Sequence, residues 1–157
     1  MSVLPDLRDL YQQIIIEHNR APRNFRALPG ASHTAEGNNP LCGDRITLEL
    51  QVEDGVIRDI GFQGRGCAIS QAAASLMTTA VKGKPVAQAD TLFHAFHDML
   101  MSGTDGPADP AVLGKLAAFG GVRAFPARVK CASLPWHTLR AALEQRPKPV
   151  TTESPNE

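Results

Sequence analysis

The sequence predicts an α+β domain: a small antiparallel sheet of about three strands, with helices packed on one face. Three observations carry that expectation. Ile46, Leu48, Leu50 and Val52 alternate with Thr47, Glu49 and Gln51, the period of a half-buried strand. Glu53-Asp54-Gly55 then turns the chain, and Val56 to Gln63 returns with Ile60 and Phe62 on one face, giving a hairpin with one wet side. Before and after this hairpin, apolar residues recur at three- and four-residue steps instead of two.

Each element follows from local signals. Asp6 is placed to cap a helix whose apolar positions are Leu7, Leu10, Ile14 and Ile15 and which ends near His18, before Pro22. The Pro-, Gly- and Asn-rich stretch Ala21 to Pro40 reads as an irregular crossing with a short strand around Thr34 to Gly37. After the hairpin, the small-residue run Ala68 to Val81 has helical composition, suits close packing on the sheet, and stops at Lys82-Gly83-Lys84-Pro85. Asp90 or Thr91 is expected to open the next helix, Leu92 to Met101. Asp109-Pro110 then caps a further short helical stretch, which Gly120-Gly121 breaks. Pro126 restarts a helix with Leu134, Leu139 and Leu143 inside, ending near Arg146. One domain, 1–146, is therefore expected, followed by a disordered tail, 147–157.

Composition excludes several function classes. Lys+Arg and Asp+Glu both number 16, so there is no net charge and no basic block to follow a phosphate backbone; nucleic acid is not an expected partner. No apolar run approaches the roughly 20 residues that span a bilayer, so a membrane protein is not expected. MSVLPDLRDLYQQ lacks a basic segment followed by an apolar one, which leaves the cytoplasm as the default location. With aromatics at 5%, a stacking site for bases or sugars is not expected either.

Three cysteines are too few for a disulfide scaffold and are better read as ligands, nucleophiles or buried thiols. Cys42-Gly43-Asp44 precedes the first long strand, so a loop presents a thiolate and a carboxylate across a permissive glycine. Cys67 follows Gly64-Arg65-Gly66 where a helix begins, and free N–H groups there favour a thiolate. Cys131 stands behind Arg128 and Lys130, near another helix start. The spacings of 25 and 64 positions rule out a local zinc knuckle. Two readings stay open at this point: some of these thiols are inert buried hydrophobes, or Cys42, Asp44, Cys67 and Cys131 form a tetrahedral set for zinc or an iron-sulfur centre.

Four segments in fixed order go further: Tyr11 to Asn24 (YQQIIIEHNRAPRN), Asn39-Pro40-Leu41-Cys42-Gly43-Asp44, Gly64-Arg65-Gly66-Cys67-Ala68-Ile69-Ser70 and Arg128-Val129-Lys130-Cys131. Together they resemble the U-type iron-sulfur cluster assembly proteins, related to IscU and the NifU N-terminal domain, and among them the SufU type. The likeness runs from about Leu10 to about Leu143. IscU-type scaffolds carry a histidine directly before the third cysteine; here that position is Lys130. The stretch around Pro85 to Gly106 resembles the insertion that marks SufU.

The resemblance implies a zinc site at Cys42, Asp44, Cys67 and Cys131, in a sulfurtransferase or persulfide carrier, not a conventional enzyme. It also implies a SufS-type cysteine desulfurase as partner, which supplies a histidine to zinc and releases Cys42 as persulfide acceptor. The sulfur then passes to a downstream assembly scaffold or to apo-proteins. Arg128 is expected to support the freed thiolate or Asp44 electrostatically, against the alternative of a solvated cation. The alternative function is a scaffold on which a transient iron-sulfur cluster is built on the same four residues and passed on; a purely structural zinc is a third. His94 and His97 stand three apart but read as a half-exposed helix face, and His18 reads as structural or partner-facing. His33 and His137 carry no signal, and Met77, Met99 and Met101 read as core or interface filler.

Overall fold

A hairpin organises the chain. In the computed structural model, which describes residues 7–40, 43–101, 113–145 and 149–151, strands β2 (Asp44–Glu53) and β3 (Val56–Arg65) pair antiparallel with Leu48 opposite Phe62 and Leu50 opposite Ile60. Asp54 and Gly55 both take positive φ, 51° and 73°, as a two-residue turn matched to strand twist requires. Alternation does what the sequence predicts: Ile46, Leu48, Leu50, Ile60 and Phe62 are buried. The register slips between Gln51 and Val52, which puts Ile57 into the core as well.

β1 (His33–Asn39) pairs antiparallel with β2 and is longer than the short strand expected. The sheet has four strands, not three, in the order β3-β2-β1-β4, and it is mixed. β4 is only Val150–Thr151, parallel to β1 with Val150 opposite Gly37. It lies inside the stretch expected to be a disordered tail, and that expectation fails at these two residues: Val150 is buried and covers an edge of β1 that would otherwise present unpaired backbone. Two residues carry no periodicity from which a strand could be read.

The helices are α1 (Leu7–Arg20), α2 (Ala68–Val81), α3 (Val86–Met101) and α4 (Pro126–Leu143), with a 3₁₀ helix at Gly114–Ala124. α4 lies along β1 and β2, where Gly37 leaves room for Leu134 and Thr138. Alanine-rich α2 is buried on most of its surface between α1 and α4, and touches β3. α3 begins at Val86, not near Asp90. Pro85 ends the preceding turn, and Thr91 sits inside the helix with its hydroxyl on the Ala87 carbonyl. The 3₁₀ helix runs through Gly120-Gly121, and α4 ends at Leu143 because Gln145 takes φ 55°. Pro135 lies inside α4 and has no N–H to offer the Cys131 carbonyl four residues earlier. The core joins the sheet's inner face to Phe96, Phe119 and Trp136, with Phe96 stacked on Trp136 at 5.3 Å. No described helix is long and apolar enough to cross a membrane. Asp6, Asp109 and Pro110 lie outside the described residues.

Candidate metal centre

Asp44 opens β2 and alternates with Ile46, so its side chain faces inward and is fully buried. The turn that delivers it is closed by Gly43 N–H on the Asn39 carbonyl at 2.8 Å, with Gly43 at φ 73°. A buried carboxylate requires partners. It accepts the Cys67 backbone N–H on Oδ1 at 2.9 Å, and Cys67 Sγ lies 3.9 Å from Oδ2.

Cys67 is the N-cap of α2, half-buried, with extended backbone; its Sγ accepts the Ser70 N–H at 3.5 Å. The first turn of the helix therefore points a backbone donor at this sulfur. Gly66 is required for the approach, since a Cβ at that position would stand 2.6 Å from Asp44 Oδ1 and 2.8 Å from Ser70 Oγ.

Cys131 reaches the same point from the second turn of α4 and is fully buried. Asn39, also fully buried, donates Nδ2–H to Cys131 Sγ at 3.7 Å. Burial pushes the Cys131 thiol up, and neighbouring Cys67 and Asp44 push it further in the same direction. The three side chains thus converge from a strand start, a helix cap and a helix turn, with one ligand atom of each within 4.8 Å of the others.

This donor set fits a thiolate-binding ion. In a tetrahedral zinc site with Zn–S near 2.3 Å, thiolates stand roughly 3.8 Å apart, so small side-chain rotations close this cluster onto one ion. Two sulfurs and one carboxylate suit zinc or iron and do not suit magnesium or calcium.

Of the residues expected at the site, the structure brings together Asp44, Cys67 and Cys131. Cys42 lies outside the described residues. Arg128 is exposed on the first turn of α4 and makes no ion pair with Asp44. The histidines are elsewhere. His97 stacks on Phe93 at 5.8 Å, and His94 meets Asp90 at 3.5 Å. His18 is buried and bonds Ser75 Oγ through Nδ1 at 2.7 Å, while the same oxygen accepts the Arg23 N–H at 2.8 Å. Burial, and after it the Arg23 charge, lowers the His18 pKa, so it docks α1 on α2 as a neutral ring. Asn39 and Gly66 were missed as site residues, although both stand in the quoted motifs; a polar side chain at an inward strand position was the available signal for Asn39.

Fold and donor set together define an α+β domain that gathers a carboxylate and two cysteines at the ends of its elements. The family model for NifU-like N terminal domains matches residues 10–132, and the chain belongs to that family. It is 43% identical over 139 residues to the zinc-dependent sulfurtransferase SufU of Bacillus subtilis, covering 88% of this chain and 92% of the relative. It is 37% identical over 142 residues to the iron-sulfur cluster assembly scaffold protein IscU of Streptococcus pyogenes, covering 90% and 87%. A crystal structure of a SufU described as a putative iron-sulfur cluster assembly scaffold protein, from Fervidobacterium islandicum, superposes with a TM-score of 0.79 at 33% identity, over 88% of this chain and 99% of that one.

Proposed function

We propose that this protein is a zinc-dependent sulfurtransferase of iron-sulfur cluster assembly, accepting persulfide sulfur from a SufS-type cysteine desulfurase on Cys42. The observation that carries the reading is the convergence of Asp44, Cys67 and Cys131 within 4.8 Å, in a chain 43% identical to a relative named for that activity. Those three residues with Cys42 would hold the zinc, and the bound ion would keep the ligand thiols deprotonated near neutral pH.

The chemistry at Cys42 is thiol–persulfide exchange. Its thiolate attacks the outer sulfur of the donor's Cys–S–SH. A new S–S bond forms at Cys42, the donor's S–S bond breaks, and the donor cysteine departs as a thiolate while hydrogen remains on the transferred sulfur. No net oxidation occurs. Arg128, one helical turn before Cys131, adds positive charge beside the anionic sulfurs. Sulfur then leaves for an assembly scaffold or an apo-protein in the cytoplasm.

A second reading is favoured by the 37% identity to a relative named as a scaffold: the same residues hold a nascent iron-sulfur cluster. Lys130, where that reading wants a histidine, argues for the sulfurtransferase. The test is desulfurase turnover without artificial reductant, with zinc-loaded and zinc-stripped protein. Acceleration by the zinc form alone, abolished in a folded Cys42→Ala variant, is expected. Normal acceleration by Cys42→Ala would overturn the assignment. No acceleration by either form, with a transferable cluster on anaerobic reconstitution, would favour the scaffold.

A further inference from the structure

Ser70 stands three residues after Cys67, the N-cap of α2, and its backbone N–H meets Cys67 Sγ at 3.5 Å. A side chain at this position ordinarily closes a capping box by accepting the N–H of the cap residue. Here that N–H is already taken, since Cys67 donates it to Asp44 Oδ1 at 2.9 Å. Ser70 is only 8% exposed, and its hydroxyl is left with no hydrogen-bond partner among the described residues. Buried hydroxyls without a partner are uncommon and costly, so this one marks an interaction that the site itself completes.

The acceptor it faces is Asp44. Asp44 Oδ1 and Ser70 Oγ stand 2.6 and 2.8 Å from one point, the position that a Cβ on Gly66 would take, and they are the two atoms nearest to it. Gly66 therefore leaves the space between hydroxyl and carboxylate open. The hydroxyl lies on the Oδ1 side, whereas Oδ2 is turned towards the thiols, 3.9 Å from Cys67 Sγ. One rotamer step of a serine swings its oxygen by about 2.3 Å with the backbone fixed, so Ser70 has the travel to approach Oδ1. We infer that Ser70 is a positioning residue for the metal centre: with an ion bound, its O–H donates to Asp44 Oδ1 beside the Cys67 N–H and holds the carboxylate to ligation through Oδ2 alone. Two donors on one oxygen fix the plane of the carboxylate, the service that groups behind a ligand commonly perform. This inference rests on the metal-binding part of the proposed function and does not depend on which partner delivers sulfur.

The experiment compares wild type, Ser70→Ala and Ser70→Thr in the full chain. Zinc affinity is read by competition with a chromophoric chelator. The mode of ligation is read from the infrared difference between zinc-loaded and metal-free protein, in which the antisymmetric and symmetric carboxylate stretches stand far apart for one ligating oxygen and close together for two. Ser70→Ala is expected to weaken the zinc Kd about tenfold and to narrow the separation of the stretches. The melting temperature of its metal-free form should be retained, because alanine suits the first turn of a helix. Ser70→Thr keeps the hydroxyl and is expected to restore both wild-type values. Wild-type affinity and wild-type stretches in Ser70→Ala would overturn the role of Ser70 and leave the zinc site standing. A weaker Kd with unchanged stretches would overturn it too, since Ser70 would then act by packing alone. A wild-type protein that binds no zinc would overturn the metal reading and this inference with it.

Discussion

Gly66→Ala puts one methyl group against the centre without touching a ligand. The added Cβ would stand 2.6 Å from Asp44 Oδ1 and 2.8 Å from Ser70 Oγ, where ordinary contact begins at 3.4 Å. Asp44 must therefore retreat by about 0.8 Å, which strains the hydrogen bond that Oδ1 accepts from the Cys67 N–H at 2.9 Å and presses a fully buried side chain into its neighbours. A lost hydrogen bond to a charged group costs about 1.5–3 kcal/mol, and overpacking of this kind about 1–3 kcal/mol. Part of that falls on the fold and part on the metal. A loss of about 1.4–2.8 kcal/mol in binding corresponds to a zinc Kd about ten- to a hundredfold weaker. Competition with a chromophoric chelator reads the affinity, and thermal melting of the metal-free protein reads the fold. If Gly66→Ala binds zinc as tightly as wild type, Asp44 Oδ1 is free to move and the packing argument fails.

Two further outcomes follow from the same geometry. Asn39→Ala removes the Nδ2–H donor 3.7 Å from Cys131 Sγ. The cobalt-substituted protein should then show its sulfur-to-metal charge-transfer band at lower energy, with affinity reduced about tenfold as for other residues that orient a ligand; an unshifted band would mean that the amide does not act on the sulfur. His18, held neutral by burial, has a folded-state pKa below its unfolded value, so its contribution to stability is complete above about pH 6.5 and is lost as pH falls below it, while the unfolded chain takes up the proton first. Urea midpoints measured from pH 7.5 down to 5 should fall more steeply for wild type than for His18→Gln; parallel curves would refute the assignment.

The hairpin was legible because Ile46, Leu48, Leu50, Ile60 and Phe62 face one core and Asp54-Gly55 admits only a tight turn. α2 was legible to the residue, because a run of small side chains ended by Gly83 and Pro85 leaves little choice. The start of α3 was not, because Asp90 and Thr91 look like caps, whereas the earlier beginning is fixed by Val86 N–H on the Gly55 carbonyl and Ala89 N–H on the Pro85 carbonyl. β4 was invisible, since its pairing belongs to the partner strand and not to its own two residues. At the centre, the identity of Asp44, Cys67 and Cys131 came from ordered motifs, and their meeting came from the topology that brings strand, cap and helix to one place. Asn39 and Gly66 serve by hydrogen bond and by absence of a side chain, and neither role has a signature in a single sequence.

Pro135 gives α4 an uneven mechanical profile. The turn bearing Arg128 and Cys131 is tied to the body of the helix by one backbone hydrogen bond fewer than a regular helix would provide, while Trp136 and Leu139, just beyond, are anchored in the core. Local opening draws on such weak links first. The leading segment can thus yield only in its first turn, where Arg128 is exposed, because Cys131, Ala132 and Leu134 are fully buried and stay with the core. Amide exchange along α4 would record this as low protection confined to the first turn, with a dip around the Cys131 carbonyl's missing partner and high protection beyond Pro135.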